Sequence, residues 1–217
     1  MKTKVITLLI IAFSIICGIL SQDYFVGTAI LISGLLNAYY ASLGKAYNYF
    51  FGATFSLLNG YVSYINGLYG IAILSFIIYF PSQIQGYLSW RKKKDENNEV
   101  KVREFTLKNS IIITTSCIIG SFVFGLLLSK IPSQQLAFLD SSSNIINLCG
   151  IILMNLRFKE CWVVWLFNNT VDLSIWIINV INNSSNSVMM LLVSIGYLLI
   201  NIYGLIKWSQ NAKLKER

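Results

Sequence analysis

The sequence predicts an all-α membrane protein, a polytopic bundle of about eight transmembrane helices with a three-one-three parallel-repeat core and an extra N-terminal helix. Three observations carry that prediction. Of the 217 residues, 55% are hydrophobic and only 12% are charged. Apolar runs of 16 to 22 residues recur along the chain; at ~1.5 Å rise per residue each can span the roughly 30 Å core of a bilayer. Finally, two of the runs share a gapless pattern of aromatic, amide and glycine residues.

The eight runs lie near 5–20, 24–43, 47–65, 68–89, 109–129, 136–156, 161–181 and 187–206. The first follows Lys2 and Lys4, as a secretory signal would. Gly18-Ile19-Leu20-Ser21 is a poor cleavage site and Ile16 is too bulky for lipoprotein acylation at Cys17, so residues 1–22 read as a retained extra helix. Residues 24–89 then form a first three-helix repeat, 90–108 a loop, 109–130 a linker helix, 131–208 a second three-helix repeat and 209–217 a tail, all within one transmembrane domain.

Assigning the connections alternately to two sides puts sixteen of the seventeen basic residues on one side and only Lys130 on the other. The positive-inside rule then predicts a multi-pass protein of the cell membrane with both termini and the 90–108 loop in the cytoplasm. The net charge of +8 therefore reads as topogenic charge near anionic headgroups. No aromatics interleave with the basic run that opens RKKKDENNEVKVREFTLK, so nucleic acid is not the expected partner.

Composition also excludes chemistry. The chain has no histidine, hence no His-based metal site and no Ser-His or Cys-His nucleophile. Cys17, Cys117, Cys149 and Cys161 lack ligand spacing and read as small apolar filler. No Gly-rich phosphate loop occurs. An enzyme is not expected, nor a metal or a cofactor.

The repeat rests on YFPSQIQGYLSW, residues 79–90, beside YLLINIYGLIKW, residues 197–208. Tyr79 matches Tyr197, Gln83 matches Asn201, Gly86 matches Gly204 and Trp90 matches Trp208, each pair 118 residues apart. If helices two to four recur as six to eight, the fifth restores orientation and the halves are parallel copies, a plan known among transporters.

The seventh run carries Trp162, Trp165, Asn169, Asp172, Trp176 and Asn179 at steps of three and four, one face of an α-helix. A carboxylate near the bilayer centre costs about 2.5 to 3.5 kcal/mol on insertion scales, so this face turns toward other helices or water. Interhelical glue is one reading. A ligand platform is the other, because indole faces stack on flat rings and attract cations. Asn37, Asn59, Tyr79, Gln83, Asn144, Asn147, Tyr197 and Asn201 also lie at membrane depth and suit a ring-bearing, hydroxylated solute. Pro81 should kink the fourth helix, either for packing or to free carbonyls beside a cavity.

Trp162-Val163-Val164-Trp165-Leu166-Phe167-Asn168-Asn169 fits a W-x-x-W-x-x-x-N pattern with Glu160 two residues before it. FLDSSSNIINLCGIILMNLR places Asp140, Leu153-Met154 and Arg157 upstream, and Gly44-Lys45, Asn48-Tyr49, Asn66-Gly67-Leu68-Tyr69-Gly70 and Pro81-x-Gln83-x-x-Gly86-x-x-x-Trp90 form further blocks. On these blocks, over about residues 34–208, the chain resembles the PnuC nicotinamide riboside transporters. The resemblance implies a SWEET-like three-one-three fold and a homotrimer with one pathway per subunit. It also implies facilitated diffusion (uniport) of nicotinamide riboside, an NAD precursor, with uptake driven by phosphorylation of the riboside in the cytosol.

In such a site the pyridinium would stack on Trp165 or Trp162, the carboxamide would pair with Asn169, and the ribose would meet Gln83, Asn144 or Asn201; Asn37, Tyr79 and Asp172 complete the predicted set. Where many members carry an acidic residue after the Leu-Tyr-Gly block and an Asn soon after, this chain has Ile71 and Ser75. Thiamine or a deoxyribonucleoside therefore stays open as the substrate, and a substrate-binding membrane subunit without transport of its own would share the composition.

Overall fold

The computed structural model describes residues 2–93 and 99–213. Residues 94–98 of the predicted loop and 214–217 of the predicted tail, with Lys94, Lys215 and Arg217, lie outside the described residues. Among those described there are eight helices: α1 Lys2–Leu20, α2 Val26–Ser42, α3 Asn48–Ile65, α4 Tyr69–Arg91, α5 Leu107–Leu128, α6 Ala137–Asn155, α7 Cys161–Ile181 and α8 Ser187–Lys213. Six of them are long and apolar enough to cross a membrane; α2 is short at 17 residues, and α3 is diluted by polar side chains. The last helix outruns its predicted apolar run, because Trp208 and Ala212 remain buried at its far end.

Five of the described helices, α1, α2, α3, α6 and α7, end on tight reversals of one kind. Gln22, Gly44, Gly67, Arg157 and Asn183 all take left-handed backbone. The next N–H in each case bonds five residues back, as Lys45 to Tyr40 O (3.0 Å), Leu68 to Ser63 O (2.8 Å) and Phe158 to Leu153 O (2.9 Å). This Schellman closure satisfies end carbonyls that have no helical partner, and it turns the chain within a few residues. The predicted disturbance at Pro81 takes the form of a π-helical turn over Ser75–Tyr79. Proline has no N–H to give the Ile77 carbonyl and its ring crowds it, and a widened turn just upstream absorbs the mismatch.

In space α2, α3, α4, α6, α7 and α8 pack in that order and α8 returns to α2, closing a ring of six helices. Helix α1 leans on α2 from outside and α5 leans on α6. Their outer faces expose Leu8, Leu9, Phe13 and Ile16, and Ile118, Ile119, Phe122 and Val123; such surface suits acyl chains and not water. Apolar clusters fill the ring at both ends. One gathers Ile30, Leu31, Val62, Ile175 and Met189; the other gathers Tyr49, Trp90, Met154, Trp162 and Trp208.

The second cluster lies at the end of the bundle that carries Lys45, Arg157 and Lys207. A strap from Glu99 to Phe105 crosses that basic end. Val100 N–H donates to Gly44 O (3.0 Å) and Arg103 N–H donates to Arg157 O (2.8 Å). Phe105 stacks on Phe158 with centroids 4.0 Å apart, and Glu99 pairs with Lys45 (3.5 Å) and Lys207 (3.4 Å).

Candidate functional site

Between the two apolar clusters the ring encloses a cavity of about 120 Å³. Of the predicted site residues, Asn37, Tyr79, Gln83 and Asn144 line it from α2, α4 and α6, while Trp165, Asn169, Asp172 and Asn201 line it from α7 and α8. The helical register brings them together, since positions three, four and seven apart along α7 share one inward face.

Trp162 is the exception. Its side chain is fully buried at 0% exposure but stands off the cavity wall, one turn nearer the basic end. It packs edge-on against Trp165 (centroids 5.4 Å) and Trp208 (5.6 Å). A Cβ on Gly204 would come within 2.6 Å of the Trp162 ring, so that glycine is what admits the indole. Trp162 therefore packs behind the cavity wall and not on it, unlike Trp165.

The wall is also a hydrogen-bonded network, so glue and platform coexist. Tyr79 hydroxyl donates to Asn144 Oδ1 (2.9 Å), Tyr49 hydroxyl donates to Asn155 Oδ1 (2.9 Å) and Asn37 Nδ2 donates to Asn48 O (3.1 Å). The Asn169 amide is satisfied when its oxygen accepts from Leu198 N–H (2.7 Å) and its nitrogen donates to Trp165 O (2.9 Å). That pose locks the residue between α7 and α8. Trp165 lies flat against α6 because Gly150 presents no side chain there.

Two buried carboxylates have separate environments. Asp140 accepts from Gly70 N–H (3.0 Å) and Ile71 N–H (3.0 Å) at the start of α4, and from Gln134 Nε2 (2.7 Å) and Asn144 Nδ2 (2.8 Å). A helix N-terminus offers free N–H groups and positive potential, so this carboxylate is a cap. Asp172 instead lines the cavity, with Ser143 Oγ donating to Oδ1 (2.5 Å) and Asn168 Nδ2 donating to Oδ2 (2.6 Å).

Sequence reasoning left several wall residues out of the predicted set. Asn48, Tyr49, Asn155 and Asn168 all line the cavity. Asn48, Tyr49 and Asn155 lie at helix ends, where a polar residue reads as a boundary; Asn168 was legible only as part of the tryptophan pattern. Ile71, one of the two departures from the family pattern, faces the cavity, and the other, Ser75, accepts from Asn59 Nδ2 (3.3 Å).

Residues 24–210 match the family described as nicotinamide mononucleotide transporter. The chain belongs to that family. Its relatives include the nicotinamide riboside transporter PnuC of Neisseria mucosa, 28% identical over 95% of this chain and 80% of the relative. The protein of the same name from Haemophilus influenzae is 28% identical over 84% of this chain and 78% of its own length. A solved structure described as the crystal structure of the vitamin B3 transporter PnuC superposes with a TM-score of 0.85 at 27% identity, covering 97% of this chain and 91% of that one. The resemblance read from the tryptophan pattern is thus borne out, and the cavity sits inside a PnuC-type helix bundle.

Proposed function

We propose that the chain carries nicotinamide riboside across the cell membrane by facilitated diffusion, through the cavity inside the six-helix ring. The observation that carries this reading is the make-up of the wall. Trp165 and Trp176 give flat faces for a pyridinium ring, amides such as Gln83, Asn144, Asn169 and Asn201 suit a carboxamide and ribose hydroxyls, and the described wall residues include neither Lys nor Arg. A phosphate would enter that wall with no cation to meet it. The riboside named by the relatives therefore fits better than the mononucleotide named by the family.

The three-one-three repeat belongs to the same reading. Tyr79 and Tyr197, and Gln83 and Asn201, face the cavity in pairs. Gly44 and Arg157, 113 residues apart, both end a helix in left-handed backbone. Asn66 and Asn179, also 113 apart, both bond the carbonyl four residues back, at Val62 (2.8 Å) and Ile175 (2.9 Å). Rocking of two such halves about the cavity would expose it to either side in turn. On this reading the basic end is cytoplasmic, consistent with the positive-inside rule, and the subunits assemble as a homotrimer.

Titration calorimetry on the purified protein tests the substrate. Nicotinamide riboside should bind at least about tenfold tighter than nicotinamide mononucleotide, thiamine or deoxyadenosine. Proteoliposomes containing this chain alone should accumulate label to equilibrium without ATP and without response to an imposed pH gradient. Tighter binding of thiamine or deoxyadenosine would move the assignment to that solute, and binding without uptake would make the chain a substrate-binding subunit.

A further inference from the structure

The Asp172 carboxylate is held by two neutral donors, Ser143 and Asn168, and among the described residues by no cation. Among the described residues lining the same cavity there is no Lys or Arg. Bare negative charge at this depth is costly unless something positive meets it. The neighbouring Asn168 adds to this. It spends its Nδ2 on Asp172, which leaves its Oδ1 buried without a partner, on a side chain only 4% exposed. Trp165 and Trp176, on the same face of α7, turn toward the cavity as well, and indole faces are electron-rich.

Resting on the riboside reading above, we propose that Asp172 and Asn168 form a subsite that selects substrates bearing a fixed positive charge. Asp172 supplies the counter-charge for the pyridinium, and Asn168 Oδ1 accepts a hydrogen bond from a donor on the substrate, such as its carboxamide N–H. Asp140 takes no part, because its oxygens are already occupied at the start of α4. Between two forms of the riboside that share an outline, selection then acts on charge. The uncharged dihydropyridine form of the riboside, nearly identical in outline, should be a poor ligand.

The test compares nicotinamide riboside with dihydronicotinamide riboside by calorimetry on the full chain and on Asp172→Asn and Asp172→Glu, with thermal melting as a folding control. The wild-type chain should favour the cation by at least about tenfold, ~1.4 kcal/mol. Asp172→Asn should erase the preference by weakening the cation while changing the neutral form less than about threefold; Asp172→Glu should restore it. If wild type binds both forms equally, or Asp172→Asn keeps the preference, the charge subsite is wrong while the transporter reading stands. The wild-type comparison decides even where a variant does not fold. If wild type binds neither form, the riboside reading fails and the subsite fails with it.

Discussion

Trp90 and Trp208, 118 residues apart in sequence, meet inside the bundle with ring centroids 5.7 Å apart, both buried. Each also meets a second ring edge-on: Tyr49 at 5.1 Å for Trp90 and Trp162 at 5.6 Å for Trp208. Trp90 and Trp208 lie seven residues beyond the cavity-lining Gln83 and Asn201, about 10 Å further toward the basic end. The rings therefore form a floor under the cavity. Removing a large buried aromatic costs about 3–5 kcal/mol. Trp208→Ala should lower the melting temperature of the detergent-purified protein clearly, and Trp90→Ala should do so at least as much, since Trp90 Nε1 also donates to Met154 O (3.0 Å).

Trp165 and Asn169 should behave differently. Both face the cavity, so Trp165→Ala and Asn169→Ala should each abolish nicotinamide riboside binding in calorimetry while the chain still folds; Asn169→Ala should lower melting modestly, since its amide joins Trp165 O to Leu198 N–H. Unchanged affinity in both would remove the proposed site.

Gly150→Ala gives a subtler probe of the same ring. An added Cβ would collide with the Trp165 indole, which has no room to retreat without leaving its place on the wall. Overpacking of this kind costs about 1–3 kcal/mol. Affinity for the riboside should fall about tenfold or more, with every chemical group of the site still present.

Asp140 makes the contrast with Asp172. Asp140→Ala leaves two buried N–H groups of α4 without an acceptor, Gly70 and Ile71. Stranding a buried donor costs about 1–3 kcal/mol, so the variant should melt early, and any loss of binding should track the loss of folded protein.

The strap is built of backbone bonds more than of charges. Glu99, Lys45 and Lys207 keep side-chain exposures of 22–23%, and partly exposed ion pairs contribute about 0–1 kcal/mol. Glu99→Gln should therefore leave melting within about 1 kcal/mol of wild type. Gly44→Ala should cost more, because its left-handed backbone (φ 67°) strains a side chain and an added Cβ would stand 3.2 Å from Val100 N in the strap.

By itself the sequence determined that the chain is helical and membrane-bound, where most helices run, and which face of α7 is polar. Apolar run length and helical period are local properties, and bilayer thickness fixes what they mean. Tyr79 and Tyr197, and Gln83 and Asn201, stood out in the sequence because each pair is 118 residues apart in a gapless match, and all four line the cavity. Only tertiary structure decided that Trp162 stands behind the wall while Trp165, one turn on, forms it. That outcome depends on Gly204 and Gly150, glycines on other helices that let each ring approach. It likewise separated Asp140, spent on a helix start, from Asp172, left facing the cavity. Both read from the chain as one acid in an apolar run, and what distinguishes them is the donors that packing brings within reach.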